Sequence, residues 1–174
     1  QISGGAVYTD DRQVIEFDVS NRLRVVKEVI DESSHKILVF VPFTHTIELL
    51  KEFLNQNKIS SEIIAGKVSV NKRSEIIKDF QTTDKIRVLI IQPQAASHGL
   101  TLTAANTVIW YAPVTSVETY LQANARIDRP GQHNPMTVVH IEGSAVERKL
   151  YNMLRSNIEN HVKIIDLYKQ EIDA

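Results

Sequence analysis

The sequence predicts an α/β fold, a mostly parallel sheet covered by helices on both faces. Two observations carry this expectation. Short β-branched, apolar runs alternate with segments whose apolar residues recur three and four apart. The runs are also continuous rather than alternating, as strands are when both of their faces are buried. With 174 residues, the chain is long enough for one such domain with a sizeable core.

Each element follows from its own residues. Residues 1–19 mix Gly, Asp and short apolar pairs without a sustained period, and are read as a connecting segment. From Asn21 to about Ile30, the spacing of Leu23, Val26 and Ile30 predicts a helix. Lys36 to Val41 is a buried strand ended by Pro42, and Ile47, Leu50 and Leu54 mark one face of a helix running to about Asn57. Ser61 to Ala65 is a short strand closed by Gly66. Ile76, Ile77 and Phe80 belong to a helix ending near Gln81. Ile86 to Ile91 and Thr107 to Tyr111 are two further strands. Thr115-Ser116-Val117-Glu118 is a capping-box pattern opening a helix through about Ala125. Pro130-Gly131 breaks the chain, and Met136 to Ile141 is a fifth strand. Ser144-Ala145-Val146-Glu147 is a second capping box, opening a long terminal helix whose expected apolar stripe is Val146, Leu150, Leu154, Ile158, His161, Ile165, Tyr168 and Ile172.

Composition excludes several classes of function. There is no cysteine, so disulfides, thiolate nucleophiles and thiolate metal sites are ruled out. The six histidines, His35, His45, His98, His133, His140 and His161, show no paired metal-ligand spacing. The longest apolar runs, residues 37–41 and 88–91, fall far short of the roughly 20 needed to cross a bilayer, and no membrane role is expected. Twenty Lys+Arg against twenty-one Asp+Glu leave any basic surface to be a local patch. The first residues, Gln1 to Gly5, carry neither an initiator Met nor a targeting pattern, and the chain is read as a piece of a longer polypeptide.

In a sheet of this kind, ligands bind at loops leaving the carboxyl ends of the strands, and three segments are assigned to that rim. The first runs from Gln92 to Ala105. It is rich in small residues, and its Gly99 permits a positive φ or a close backbone approach to a ligand; taken alone, it is better explained as an ordinary strand-to-helix turn. The second is Gln122 to Gln132. Arg126 and Arg129 lie three apart at a helix end, with Pro130 as the stop, and two aligned guanidinium forks suit a polyphosphate. An isolated Arg-x-x-Arg is more often two solvated arginines, here with Asp128 as partial counter-ion. The third is the turn Ala65-Gly66-Lys67-Val68-Ser69, followed by Lys72 and Arg73, which can hold a backbone phosphate or be a plain surface turn. Trp110 and Tyr111 are expected to close a strand, with base stacking as an alternative.

Taken in order, these segments resemble the C-terminal RecA-like lobe of Swi/Snf-type ATPases, a branch of the superfamily-two helicase-like motors. Lys36 to Phe40 through Phe43-Thr44-His45-Thr46-Ile47 is similar to that family's motif IV, and Gly66 to Gln81, with Arg73, to its glycine-turn-and-helix block. Gly99-Leu100-Thr101-Leu102-Thr103-Ala104-Ala105-Asn106 resembles motif V. Gln122-x-x-x-Arg126-x-x-Arg129-x-Gly131-Gln132 resembles motif VI, the most specific of the set. The resemblance covers roughly residues 20–155. Ala96 and Ser97 stand where a glycine pair is common, Ala65 where an acidic residue is usual and Thr101 where Asn is frequent. These departures suggest a divergent, bacterial or viral, member.

The resemblance implies a three-layer RecA-like lobe at 20–143, a connection from a missing N-terminal lobe at 1–19, and a brace helix at 144–174. It implies the second motor lobe of an ATP-dependent DNA translocase, with a strand-separating DNA or RNA helicase, or a non-catalytic scaffold, as alternatives. Arg126 and Arg129 take the place of arginine fingers, Gly99, Thr101 and Gln122 that of nucleotide contacts, and Thr44, His45, Gly66, Lys67 and Gln94 that of contacts to the nucleic-acid backbone. The expected partners are DNA, as a duplex, and the N-terminal lobe. The expected cofactor is ATP with Mg²⁺, the metal held mainly by that lobe, since no Gly-x-x-x-x-Gly-Lys-Ser/Thr loop occurs in this chain. Alone, the chain is expected to hydrolyse no ATP. Its expected place is inside the cell: the cytoplasm or nucleoid of a bacterium or infected host for a divergent member, otherwise the nucleus.

Overall fold

A computed structural model describes residues 6–8, 14–16 and 20–157. Five strands form one sheet: β3 (Lys36–Phe40), β4 (Ser61–Ile64), β5 (Val88–Ile91), β6 (Ala105–Trp110) and β7 (Thr137–His140). Their order is β4-β5-β3-β6-β7, and all four pairings are parallel. Within residues 1–19, two three-residue strands, β1 (Ala6–Tyr8) and β2 (Val14–Glu16), pair antiparallel, a feature the sequence had not disclosed. Segments this short carry no readable period.

The helices are α1 (Ser20–Glu32), α2 (Thr44–Gln56), α3 (Val70–Thr82), α4 (Val117–Asn124) and α5, described over 145–157. The continuous apolar strands serve two cores. Leu38, Phe40, Leu89, Ile91, Val108 and Trp110 face one core, with Ile76 and Phe80 of α3, Tyr120 and Ala123 of α4, and Tyr151 and Leu154 of α5. The intervening residues Ile37, Val39, Val88, Ile90 and Ile109 face the other, against Val26 and Ile30 of α1 and Ile47, Leu50 and Leu54 of α2. The result is the expected three-layer α/β/α arrangement.

Two local readings need correction. The cap of α4 is Ser116, whose side chain accepts from the Thr119 N–H, one residue later than the pattern Thr115 to Glu118 implied. In α5, Ser144 does cap, accepting from the Glu147 N–H at 3.2 Å. The expected stripe holds only in part, however. Leu154 is buried and Leu150 half-buried as expected, but Val146 is 66% exposed, while Glu147, paired with Arg22, and Tyr151 are buried on the docked face. The stripe's continuation at Ile158, His161, Ile165, Tyr168 and Ile172 lies outside the described residues.

Candidate functional site

Strands β4, β5 and β3 are neighbours and parallel, so the loops that leave them share one edge. After β3, the chain turns into α2 at exposed Thr44 and half-buried His45, with Phe43 at the cap position and no side chain capping the first turn. After β4 come Gly66 and Lys67, both exposed, and then Ser69, which caps α3 by accepting from the Lys72 N–H at 3.3 Å. A Cβ at Gly66 would meet nothing within 4 Å, which leaves this stretch of backbone open to solvent. Gly66 N–H faces Gln92 Oε1 at 3.5 Å, joining the loop after β4 to the loop after β5, where exposed Gln94 lies. Arg73 approaches the Ala65 carbonyl from Nη2 at 3.5 Å, and its buried Nε has no hydrogen-bond partner among the described residues.

The loop after β5 is a crossover. It leaves the carboxyl end of β5 at Ile91, makes a 3₁₀ segment over Pro93–His98, and enters β6 at its amino end, Ala105. Ala95, Ala96 and Leu102 bury themselves in the same core as α3 and α4. Gly99 ends the 3₁₀ segment at φ 73°, the left-handed conformation that glycine tolerates, and nothing lies within 4 Å of a Cβ there. Thr101 is exposed. The side chain of His98 lies outside the described residues.

The arginine segment is not on the carboxyl rim, contrary to its assignment from sequence. α4 ends at Asn124, so Arg126 and Arg129 lie in the turn beyond it, and Pro130 does not stop the helix. The turn is fastened to the far end of the crossover. Leu102 N–H donates to the Arg126 carbonyl at 3.0 Å, and Gln132 Nε2 donates to the carbonyls of Ala105 at 2.7 Å and Ile127 at 3.1 Å. Ala105 opens β6, so this anchor point is at the amino end of that strand. The reason is topological: a segment that follows a returning helix and precedes a parallel strand starts where that strand starts. Gly99 and Thr101 lie on the crossover between the two groups, and the rim residues and the arginines therefore form two sites joined by one loop.

Arg126 is 6% exposed. Its Nε donates to the Gln122 carbonyl at 2.8 Å, yet its Nη1 is buried with no hydrogen-bond partner among the described residues. Burial, and secondarily the charge of Arg129, lower its pKa. A buried guanidinium nitrogen without an acceptor is costly, about 1–3 kcal/mol or more, and it fits an anionic oxygen supplied from outside. Gln122 contributes through its carbonyl, while its side chain donates to Glu118 Oε1 at 3.1 Å. Neither arginine is in an ion pair among the described residues.

Three glutamines hold this site together, and sequence reasoning gave none of them a role. Gln92 links two rim loops, Gln132 locks the arginine turn to β6, and Gln81 at the end of α3 holds Thr103 and Ala104. A glutamine that clamps backbone and one that is solvated look alike in sequence, so only tertiary contacts distinguish them. Strand β6 also shifts register against β3 beside the same junction, where Lys36 pairs with Ala105 and Ile37 with Thr107. Base stacking by Trp110 or Tyr111 is ruled out, since both are fully buried, Trp110 lying between Phe40 and Tyr120. Among the described residues, no group of His, Asp or Glu could hold a metal ion, and no helix is long and apolar enough to cross a membrane.

The chain belongs to the helicase conserved C-terminal domain family, whose pattern matches residues 21–131. It is 31% identical over 130 residues to a chromodomain-helicase-DNA-binding protein 1-like of Danio rerio, covering 74% of this chain and 13% of that protein. It is 32% identical over 125 residues to the ATP-dependent helicase fft2 of Schizosaccharomyces pombe, covering 70% and 10%. Likeness to the chromatin-remodeling ATPase INO80 of Mus musculus is 31% over 130 residues, covering 74% and 8%. The chain thus spans about a tenth of the length of these relatives. The crystal structure of the C-terminal part of the Fun30 ATPase domain superposes with a TM-score of 0.70 at 24% identity, over 75% of this chain and 44% of that one, and shares the fold. With the motifs already described, these likenesses identify the chain as the C-terminal lobe of a Swi/Snf-type helicase-like ATPase.

Proposed function

We propose that this lobe is the second half of an ATP-driven motor on DNA, in which Arg126 and Arg129 reach the triphosphate of a nucleotide bound mainly by an N-terminal lobe. The observation that carries this reading is the buried Nη1 of Arg126, without a hydrogen-bond partner among the described residues, in a turn built with Arg129. A guanidinium fork stays charged at working pH and offers fixed donors to phosphate oxygens. Arginine fingers of this kind are worth about 10³–10⁵ in rate, roughly 4–7 kcal/mol of barrier. ATP and Mg²⁺ supply the transferable phosphoryl group and its charge neutralisation; this chain's own contribution is donors held in place by Leu102 and Gln132.

Gly99 and Thr101, exposed on the crossover, are proposed to approach the same nucleotide, and Gln122 to support Arg126 through its carbonyl. Thr44, His45, Gly66, Lys67 and Gln94 are proposed to grip the nucleic-acid backbone from the carboxyl rim. Exposed Thr44 at the start of α2, exposed Gly66 and Lys67 just before α3, and exposed Gln94 beside them support that part of the reading. The relatives' names speak of DNA binding, helicase and chromatin-remodeling ATPase, in keeping with duplex DNA as the track and an intracellular setting.

The decisive experiment uses the full-length protein. Arg129→Ala is expected to abolish DNA-stimulated ATP hydrolysis while DNA binding stays near wild type. An unaltered rate rejects the finger assignment. A strand-displacement assay on the wild type then separates translocation from strand separation.

A further inference from the structure

Helix α3 touches both of the sites described above. Its first turn follows the rim turn Gly66–Lys67 and is capped by Ser69, and Arg73 reaches back toward the Ala65 carbonyl. Its last turn carries Gln81, whose Nε2 donates to Thr103 Oγ1 at 3.1 Å and whose Oε1 accepts from the Ala104 N–H at 2.8 Å. Four consecutive residues of the crossover are thus fastened from two sides. Leu102 and Ala105 bond to the arginine turn, at Arg126 and Gln132, while Thr103 and Ala104 bond to Gln81. Gly131, in the arginine turn, would bring a Cβ to 3.9 Å from the same Thr103 hydroxyl.

A helix of 13 residues is a stiff rod of about 20 Å. Its flank is fixed in the core by Ile76 and Phe80, both buried. A small shift at the turn after β4 is transmitted along such a rod to whatever its far end holds. Here the far end holds the segment to which the arginines are tied.

We infer that Gln81 is a positioning residue that couples occupancy of the rim turn Gly66–Lys67 by a nucleic-acid phosphate to placement of Arg126 and Arg129. This rests on the function proposed above and adds the route by which DNA raises the rate. Gln81 touches neither ligand. Its two hydrogen bonds are a donor and an acceptor on one amide, a geometry that fixes the direction as well as the distance of the crossover end.

The test is ATP hydrolysis by the full-length protein with and without saturating duplex DNA, together with DNA affinity and melting temperature. Gln81→Leu keeps the bulk and removes both bonds. It is expected to lower the ratio of stimulated to unstimulated rate about fivefold or more, the usual floor of a coupling between two sites, with DNA affinity within about twofold of wild type. Gln81→Glu keeps an acceptor for the Ala104 N–H and can accept from the Thr103 hydroxyl, and is expected to recover most of the ratio. Should Gln81→Leu fail to fold, Thr103→Val removes only the hydroxyl partner and is read the same way. A wild-type ratio in the variant, or an equal loss with and without DNA, overturns the inference. A wild-type protein whose hydrolysis ignores DNA removes the proposed function itself, a distinct result.

Discussion

Arg22 and Glu147 lie 125 positions apart in the chain and 2.6 Å apart in the fold. Both are buried. Arg22 Nη1 also donates to the Tyr111 carbonyl at the end of β6, its guanidinium lies 5.2 Å from the Tyr111 ring centroid, and Glu147 Oε1 accepts from the Gly143 N–H at 2.7 Å. One ion pair therefore closes the lobe, fastening its first helix to its last across a strand end.

Removing one member of this pair leaves the other charged and buried. Glu147→Ala is expected to destabilise the lobe by about 3–5 kcal/mol, as measured by urea denaturation. A loss below about 1 kcal/mol, the scale of an exposed pair, would show that the pair is not desolvated in solution.

His140 is expected to make the lobe acid-sensitive. Its Nε2 is 2.7 Å from the Tyr120 hydroxyl and its ring stacks on Tyr151 at 4.2 Å. Burial first, then the charge of Arg155, pushes its pKa from 6.5 down to about 4, with Glu142 opposing. The unfolded chain therefore holds more protons at this position between those two values. The stabilisation is complete above about pH 6.5 and is lost as pH falls toward 4, on the order of 2 kcal/mol after allowance for partial exposure. Denaturation midpoints at pH 7.5 and 5, compared between wild type and His140→Gln, are expected to converge in the variant.

Arg126→Met separates a ligand-facing arginine from a structural one. The substitution removes one hydrogen bond and one buried orphan donor together, so stability is expected to stay within about 1 kcal/mol. DNA-stimulated hydrolysis by the full-length protein is expected to fall by about 10³ or more. A large stability loss with a small rate change would assign Arg126 to the scaffold.

The phase of α5 is open to a paired test. Leu154→Ala is expected to cost about 2–5 kcal/mol and Val146→Ser less than about 0.5 kcal/mol, because Leu154 is fully buried and Val146 is 66% exposed. Equal losses on thermal or chemical unfolding would restore the stripe that periodicity alone implied.

Gly99→Ala probes conformation without a steric clash. At φ 73° the added Cβ meets no neighbour but strains the backbone, at about 1–2 kcal/mol. Gly66→Ala, with neither a positive φ nor a neighbour within 4 Å, is expected to be nearly neutral in the same melting experiment.

The order of strands and helices, the two-faced sheet and the motif segments were legible in the residues. Each is written in a local pattern: Leu38-Val39-Phe40 is apolar without interruption, and Val26 and Ile30 repeat at helical spacing. What only the tertiary structure decided is where distant segments meet. Arg126 looked like a rim residue until the crossover from Ile91 to Ala105 placed its anchor at the opposite end of a strand. Val146 looked like core until Glu147 paired with Arg22 and set the rotation of the last helix. Nothing local in the sequence marks Gln81, Gln92 and Gln132 as clamps; in the fold their amides meet backbone 23, 26 and 27 positions away, at Ala104, Gly66 and Ala105. Periodicity records which face of an element is apolar. It does not record which partner that face will find, and in this lobe the partners fix the site.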